Sequence, residues 1–259
     1  MTDQSHTITC MNIQYCTDKE IANFREIHAG NMAKGVLYRG SYPIMSMEPE
    51  RDRAYDRLVA EAKIACVINL SDNESGLETT ANSLPWYRKL LKNNKIIGLD
   101  IHFLFDFEYE KEYEIFKDKL KQGVQFMIKH DGPYLIHCNA GTDRTGFMAA
   151  IIEALFGAKI DEIVYDYLLS HGKEFANDRG NELNYNTGNI IFSQLNAALE
   201  GKIYDRKNLQ SNMEQYFLTE IGLTKEELEI FKGKLTNKSP LYHPMTQKLK
   251  MIFRRFYEN

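Results

Sequence analysis

One ten-residue segment, His137 to Gly146, constrains the fold of this chain more than any other feature. An apolar, strand-like run (134–136) precedes it, and an apolar, helix-like run (147–156) follows it. Five residues separate Cys138 from Arg144, which is enough chain to curl the backbone round a tetrahedral anion, with successive N–H groups directed inward at the start of a helix. The segment therefore predicts a phosphate-binding loop in which a thiol and a guanidinium face the same phosphorus atom.

The residue types in this loop suggest a division of labour. A helix N-terminus and a nearby cation stabilise a thiolate, so Cys138 is the expected nucleophile. The planar fork of Arg144 matches two phosphoryl oxygens, which the point charge of a lysine would do poorly. Thr145 places a hydroxyl beside the sulfur, where it would stabilise the thiolate that leaves a phosphocysteine intermediate. The expected phosphate-binding residues are those between the nucleophile and this threonine: Asn139, Ala140, Gly141, Thr142, Asp143 and Arg144. The alternative interpretation is a buried structural cysteine at the end of a strand.

The segment HCNAGTDRTG resembles the signature loop of the cysteine-dependent protein tyrosine phosphatase superfamily, closest to its atypical bacterial branch of tyrosine and lipid phosphatases, whose loops typically read HCxAGKDRTG. Stretches at 23–26, 35–41, 67–70 and 166–170 also fit that branch, so the resemblance spans most of residues 20–235. It implies a phosphate monoesterase that forms a covalent phosphocysteine and needs no metal. Thr142 stands where the branch usually has lysine, which weakens the inference that the pocket is built for highly anionic phosphoinositides.

A leaving alkoxide or phenoxide needs a proton, so we expect a general acid upstream of the loop. The choice is among Asp100, Asp106 and Asp118, and we favour Asp106, which lies 32 residues before Cys138, a separation similar to that used in the superfamily. The Trp-Pro-Asp signature is missing, and Asp106 would otherwise simply begin a solvated acidic face. The resemblance also keeps Asp143 as a candidate, either as the acid or as a residue that positions water.

The pattern of the whole chain predicts an α/β fold, with a tyrosine-phosphatase-like sheet flanked by helices. Strands are expected at 35–40, 66–70, 96–103 and 134–137, and helices at 49–63, 109–129 and 145–156. The loop should then lie at the carboxyl edge of the sheet. Residues 172–208 are rich in Asn, Gly and Asp and are expected to form a helical lid or excursion after the loop.

We divide the chain into an N-terminal extension (1–19), a phosphatase domain (20–236) and a basic, aromatic C-terminal tail (237–259). Of the 259 residues, 43% are hydrophobic and 26% charged, which is enough apolar material for a substantial core. The four cysteines show no metal-ligand spacing, and His28, His102 and His171 form no ligand group, so we expect neither a metal nor another cofactor. The catalytic thiolate requires reducing conditions, and the N-terminus does not resemble a signal peptide; both observations predict a cytoplasmic protein.

The net charge of −4 argues against nonspecific binding to nucleic acid. The segment from Lys238 to Asn259 carries five Lys or Arg and one Glu among apolar side chains, so it could contact an anionic membrane, although a helix packed on the domain is the favoured interpretation. The predicted function is hydrolysis of phosphate monoesters, with protein phosphotyrosine as the leading substrate. The alternatives are a phosphoinositide or inositol phosphate phosphatase and a phosphate-binding module without turnover.

Overall fold

The computed structural model describes residues 16–44, 50–101, 110–178, 180–200 and 208–236. The predicted tail (237–259), most of the predicted N-terminal extension and Asp106 lie outside these ranges, so the domain limits and the role of the tail stay predictions.

A mixed sheet forms the centre of the molecule. Within the described ranges its strands are β1 (Arg25–Glu26), β2 (Leu37–Gly40), β3 (Cys66–Asn69), β4 (Ile96–Gly98) and β5 (Tyr134–His137), in the lateral order β1-β2-β5-β3-β4. β1 runs antiparallel to β2, and the other neighbours are parallel. Parallel neighbours need crossover connections, which are usually helices.

The helices follow the strands in an alternating order. They are α1 (Asp18–Ile21), α2 (Glu50–Glu61), α3 (Glu74–Ser83), α4 (Pro85–Lys92), α5 (Glu110–Lys129), α6 (Asp143–Leu155), α7 (Ile160–Leu169), α8 (Lys173–Asn177), α9 (Glu182–Ala198), α10 (Leu209–Thr219) and α11 (Lys225–Leu235). None of the described helices is long and apolar enough to cross a membrane. The observed architecture is thus the predicted α/β sheet flanked by helices.

The two faces of the sheet bury different helices because side chains alternate along a strand. Ile68 and Ile136 join the larger core, which is built with α5, α6, α7, α9, α10 and α11. Val67 and Leu135 point to the smaller core, built with α2, α3 and α4. Every residue of β3 and β5 is buried, as expected for strands covered on both faces.

The strand register brings three chain segments to one edge of the sheet. Gly40 pairs with His137, and Asn69 pairs with His137 from the other side, so β2, β3 and β5 end at the same level. The residues that follow these three strands therefore meet at the carboxyl edge. This is the edge at which ligands bind in open parallel sheets.

Four of the observed strands and the helices α2, α5 and α6 were predicted from the sequence pattern, whereas β1, α3 and α4 were missed. β4 is shorter than predicted, since it ends at Gly98 and Asp100 adopts a left-handed backbone conformation (φ 50°) that extended strands do not use. The excursion after the loop is helical, as predicted. Its helix α9 packs against α6 and α7, and Ile191 and Leu195 contribute to the larger core.

Candidate active site

The loop predicted from the sequence joins β5 to α6. β5 ends at His137, Cys138 follows it, and α6 begins at Asp143 with Thr142 as its N-cap residue. Cys138 is a free thiol and only 2% exposed, so it lies at the bottom of the site and not on the surface. Because α6 has 13 residues and starts directly at the loop, its N-terminal N–H groups and its dipole favour an anion there.

The carbonyl groups of residues 139–142 are held from outside the loop, and that of Thr142 also accepts the backbone N–H of Gly146 at 2.7 Å. These four carbonyls accept hydrogen bonds from the backbone N–H of Tyr42 (2.8 Å), the side-chain amide of Asn23 (3.1 Å) and the guanidinium of Arg39 (2.8 and 3.2 Å). In a trans peptide the C=O and the following N–H point in opposite directions. The N–H groups of residues 140–143 are therefore directed to the other side, and within the described ranges no protein group accepts a hydrogen bond from them. A tetrahedral oxyanion matches this set of donors.

Gly141 lets the loop pass close to the end of β2. It has φ 74°, in the left-handed region, and a Cβ atom there would lie 2.5 Å from the carbonyl oxygen of Gly40 and 2.7 Å from the nitrogen of Ser41. Both neighbours are backbone atoms of the sheet edge, so they cannot move aside cheaply. The sequence predicted this small residue as a phosphate contact, and the structure adds that it is needed for packing.

The guanidinium of Arg144 lies between the loop and the segment after β4. Its Nη1 donates a hydrogen bond to the carbonyl oxygen of Ile101 at 2.8 Å, and its side chain is half-buried. This contact fixes one edge of the planar group.

Asp143 is held by α7. The hydroxyl of Tyr167 donates to its Oδ1 at 2.9 Å, and burial together with the neighbouring carboxylate raises the pKa of this phenol, so it remains a donor. The contact holds the carboxylate of Asp143 against α7, and its role as acid or as a residue that positions water stays a prediction.

Three buried polar side chains, those of His137, Thr142 and Thr145, belong to the segment that carries the nucleophile. The hydroxyls of Thr142 and Thr145 make no hydrogen bond within the described residues, although both are fully buried. His137 is also fully buried, against the rings of Tyr42 and Tyr87, and burial lowers the pKa of its imidazole to about 4. The imidazole is therefore neutral at physiological pH and supplies no charge to the thiol.

Of the three aspartates proposed upstream as the general acid, Asp100 and Asp118 are among the described residues. Asp106 lies outside the described residues. Asp118 is exposed on α5, and Asp100 is half-buried after β4, where its backbone N–H donates to the carbonyl of Asp72 at 3.1 Å. Asp100 thus lies beside the segment that follows β3 at the carboxyl edge, whereas no contact of Asp118 with the loop is present in the described ranges. The assignment of Asp106 stays a prediction.

The residues behind the loop were missed as functional residues. They form a buried network of Asn23, Arg25, Arg39, Asp166 and Ser170, joined by hydrogen bonds and ion pairs. The signal was present in the sequence, because three stretches that carried the family resemblance (23–26, 35–41 and 166–170) contain all five. The five residues converge behind the carbonyls of residues 140–142. This explains why three stretches that lie far apart in the sequence all match the pattern of the family.

No group of three metal-ligating side chains occurs within the described ranges. Of the cysteines there, Cys66 and Cys138 are free, whereas Cys16 is disulfide-bonded. A disulfide is more typical of an oxidising compartment, while a catalytic thiolate needs reducing conditions. The cytoplasmic location stays a prediction.

The chain was compared with solved structures, with curated proteins and with models of protein families. Two solved structures are similar: the core catalytic domain of the PP-IP phosphatase SIW14 from S. cerevisiae in complex with citrate (19% identity over 71% of this chain and 97% of that chain, TM-score 0.38) and a second structure of the Siw14 catalytic core (18% identity, 71% and 96%, TM-score 0.38). A search of curated proteins found no significant match. The sequence model of the tyrosine phosphatase family matches residues 19–237, which includes the whole loop and the network behind it. The chain belongs to the tyrosine phosphatase family.

Proposed function

We propose that this protein hydrolyses phosphate monoesters through a phosphocysteine intermediate, with protein phosphotyrosine as its leading substrate. The observation that carries this proposal is the loop itself. Four successive carbonyls are bonded outward, the intervening N–H groups have no acceptor among the described residues, and Cys138 and Arg144 flank them. A loop of this kind binds an oxyanion, and the thiol adds a nucleophile.

In the first step the thiolate of Cys138 attacks phosphorus. The S–P bond forms as the bond from phosphorus to the leaving oxygen breaks, and Asp106 transfers its proton to that oxygen. The loop N–H groups and the fork of Arg144 bind the equatorial oxygens, whose charge redistributes in the transition state.

In the second step water attacks phosphorus and the S–P bond breaks. The Asp106 carboxylate accepts a proton from the water, so inorganic phosphate and the thiolate are released and the enzyme is restored. The buried hydroxyl of Thr145, which has no partner among the described groups, is available to donate a hydrogen bond to the departing sulfur.

The loop supports a substrate of modest charge. Arg144 is the only cationic side chain between Cys138 and Gly146, because Thr142 occupies the position at which related loops have lysine. The Thr142 side chain is buried and uncharged, so it adds no cation to the site. This favours phosphotyrosine over an inositol phosphate or a phosphoinositide, which carry several phosphates and require several cations.

The experiment is a comparison of phosphate release from phosphotyrosine and phosphoserine peptides, a phosphoinositide and an inositol phosphate. The reduced wild type is compared with Cys138→Ser, and Cys66→Ser is the matched control. Cys66 is also a free, buried cysteine on the same sheet, but burial raises the pKa of its thiol to about 11 and it lies at the start of β3, away from the loop.

Turnover that disappears in Cys138→Ser and persists in Cys66→Ser, together with phosphate covalently trapped on the wild type after acid quench, would establish the mechanism. A preference for the inositol phosphate of more than about tenfold in kcat/KM, equivalent to about 1.4 kcal/mol, would replace phosphotyrosine as the substrate class. Phosphate binding without turnover on any substrate would leave only a binding module.

A further inference from the structure

The buried guanidinium of Arg39 connects the phosphate-binding loop to the domain behind it. Arg39 lies on β2 and is 0% exposed, which makes it one of the largest fully buried side chains. A buried cation is costly unless it is paired and hydrogen-bonded. Its partners therefore show what it holds in place.

Two of these partners are loop carbonyls and two are groups of α7 and its C-terminus. Nη2 donates to the carbonyl oxygens of Gly141 (2.8 Å) and Thr142 (3.2 Å) and to the hydroxyl of Ser170 (3.2 Å). Nη1 forms a close ion pair with the carboxylate of Asp166. One planar group thus links the loop to α7.

Asp166 and Ser170, which hold Arg39, are themselves held by Arg25. Arg25 donates through Nε to the other oxygen of Asp166 at 2.7 Å and through Nη2 to the hydroxyl of Ser170 at 2.9 Å. Burial disfavours ionisation of Asp166, but the two guanidinium groups outweigh it and hold the pKa of this carboxyl below its usual range. Asp166 therefore stays charged and keeps Arg39 in one orientation.

The hydrogen bonds from Arg39 to the two carbonyls help to determine the direction of the adjacent N–H groups. The carbonyl of Gly141 shares a peptide plane with the N–H of Thr142, and that of Thr142 shares one with the N–H of Asp143. The bond from Arg39 to the Gly141 oxygen directs the Thr142 N–H away from the guanidinium. The Thr142 oxygen is held by Arg39 and also by the Gly146 N–H at 2.7 Å, so Arg39 and α6 together direct the Asp143 N–H. A cation behind these peptides also reinforces their dipoles, with the positive N–H ends toward the anion.

We propose that Arg39, anchored by Asp166 and Ser170, is a positioning residue that orients the Gly141–Thr142 and Thr142–Asp143 peptides toward the phosphoryl group. The inference rests on the proposed function, since it assumes that the loop binds phosphate. A lysine at this position would keep the charge but could not span Asp166 and two carbonyls, because it lacks the planar fork.

The test measures binding of inorganic phosphate by titration calorimetry in the Cys138→Ser background, which needs no turnover. Arg39→Lys is expected to weaken phosphate binding by about tenfold, because the Thr142 N–H loses its alignment, whereas the hydrogen bond from Gly146 to the Thr142 carbonyl still orients the Asp143 N–H. Arg88→Lys is the matched control: this guanidinium also holds two consecutive carbonyls, those of Ala81 and Asn82, but at the junction of α3 and α4. It should leave the affinity unchanged.

Arg25→Lys tests the ion pair more than the loop contacts. Arg25 shares Asp166 and Ser170 with Arg39, and it reaches the loop indirectly, through Asn23, whose amide donates to the carbonyl of Ala140. A smaller loss for Arg25→Lys than for Arg39→Lys supports the proposal, and an equal loss overturns it. In the otherwise wild-type enzyme, Arg39→Lys should raise KM, because the loop donors bind the ground state, and lower kcat, because they bind the transition state more tightly.

The failures can be told apart. If the Cys138→Ser parent binds no phosphate and the wild type turns over no phosphomonoester, the proposed function fails. If the parent binds phosphate and Arg39→Lys binds it equally well, only the positioning role of Arg39 is overturned. Should Arg39→Lys give no folded protein by circular dichroism, Ser170→Ala is measured instead; it removes one anchor without removing a charge, and we expect a loss of about threefold, with unchanged affinity contradicting the proposal.

Discussion

Replacing Gly141 by alanine tests whether the loop owes its shape to close contact with the sheet edge. Two costs are expected. The left-handed backbone conformation at this position (φ 74°) costs a residue with a Cβ atom about 1–2 kcal/mol. The new methyl group would also lie 2.5 Å from the carbonyl oxygen of Gly40, and overpacking of this kind typically costs about 1–3 kcal/mol.

The control is Gly35→Ala. Gly35 has nearly the same backbone angle (φ 72°), but the nearest atom to its added Cβ is the Tyr38 hydroxyl at 3.8 Å, an ordinary contact. The difference between the two variants therefore isolates the contact with Gly40 and Ser41. We expect Gly141→Ala to lose about 1–3 kcal/mol more unfolding free energy than Gly35→Ala, unless the loop moves instead.

Urea unfolding followed by circular dichroism gives the free energies, and titration calorimetry with inorganic phosphate in the Cys138→Ser background detects a displaced loop. Movement of the loop would relieve the contact but misdirect its N–H groups, and phosphate affinity would then fall by about tenfold or more. The reasoning is refuted if Gly141→Ala equals Gly35→Ala in unfolding free energy and also binds phosphate as tightly as its parent.

Four further outcomes are expected. Arg144→Lys should lower kcat by about 10²-fold or more, with Arg88→Lys unchanged, since an ammonium cannot present the planar fork; near-wild-type kcat would exclude a bidentate contact. Asp106→Asn should slow hydrolysis of alkyl phosphates by about 10²–10⁴-fold and of aryl phosphates with acidic leaving groups far less, whereas a loss independent of the leaving group would remove it as the acid. Thr145→Ala should increase the phosphocysteine trapped after acid quench, and an unchanged amount would contradict its role in the second step. The pKa of His137 is near 4 in the folded state, so as the pH falls from about 6.5 to 4 only the unfolded chain binds a proton at this residue. That proton uptake should lower the free energy of unfolding by up to about 3 kcal/mol. His137→Gln should flatten this pH dependence in urea unfolding.

The acid-side loss in stability follows from the direction of the His137 shift. Its pKa is lower in the folded than in the unfolded state, so the contribution is zero above about pH 6.5, where both states are neutral, and grows as the pH falls. The cause is burial among the rings of Tyr42 and Tyr87, where an imidazolium would lose its hydration. The same burial excludes His137 as a charged partner of the nucleophile at neutral pH.

Features that depend on local pattern could be predicted from the amino-acid sequence alone. A nucleophile, a small residue and a cation at fixed spacing, between an apolar strand and an apolar helix, are contained in residues 134–156 and need no long-range information. For the same reason the helix α6 could be predicted from neighbouring residues alone. The alternation of strands and helices was sufficient to predict the α/β class.

The contacts that hold the loop in place depend on the tertiary fold. Arg39 and Asp166 are 127 residues apart, and their pairing with each other and with the carbonyls of residues 141 and 142 depends on strand order and on the packing of α7 against α6. Nothing in the spacing of these residues reveals that β2 lies beside β5. Because hydrogen bonds and ion pairs act over a few ångströms in space, the nucleophile could be identified from its neighbours in sequence, whereas the residues that orient its loop could be identified only from their neighbours in the fold.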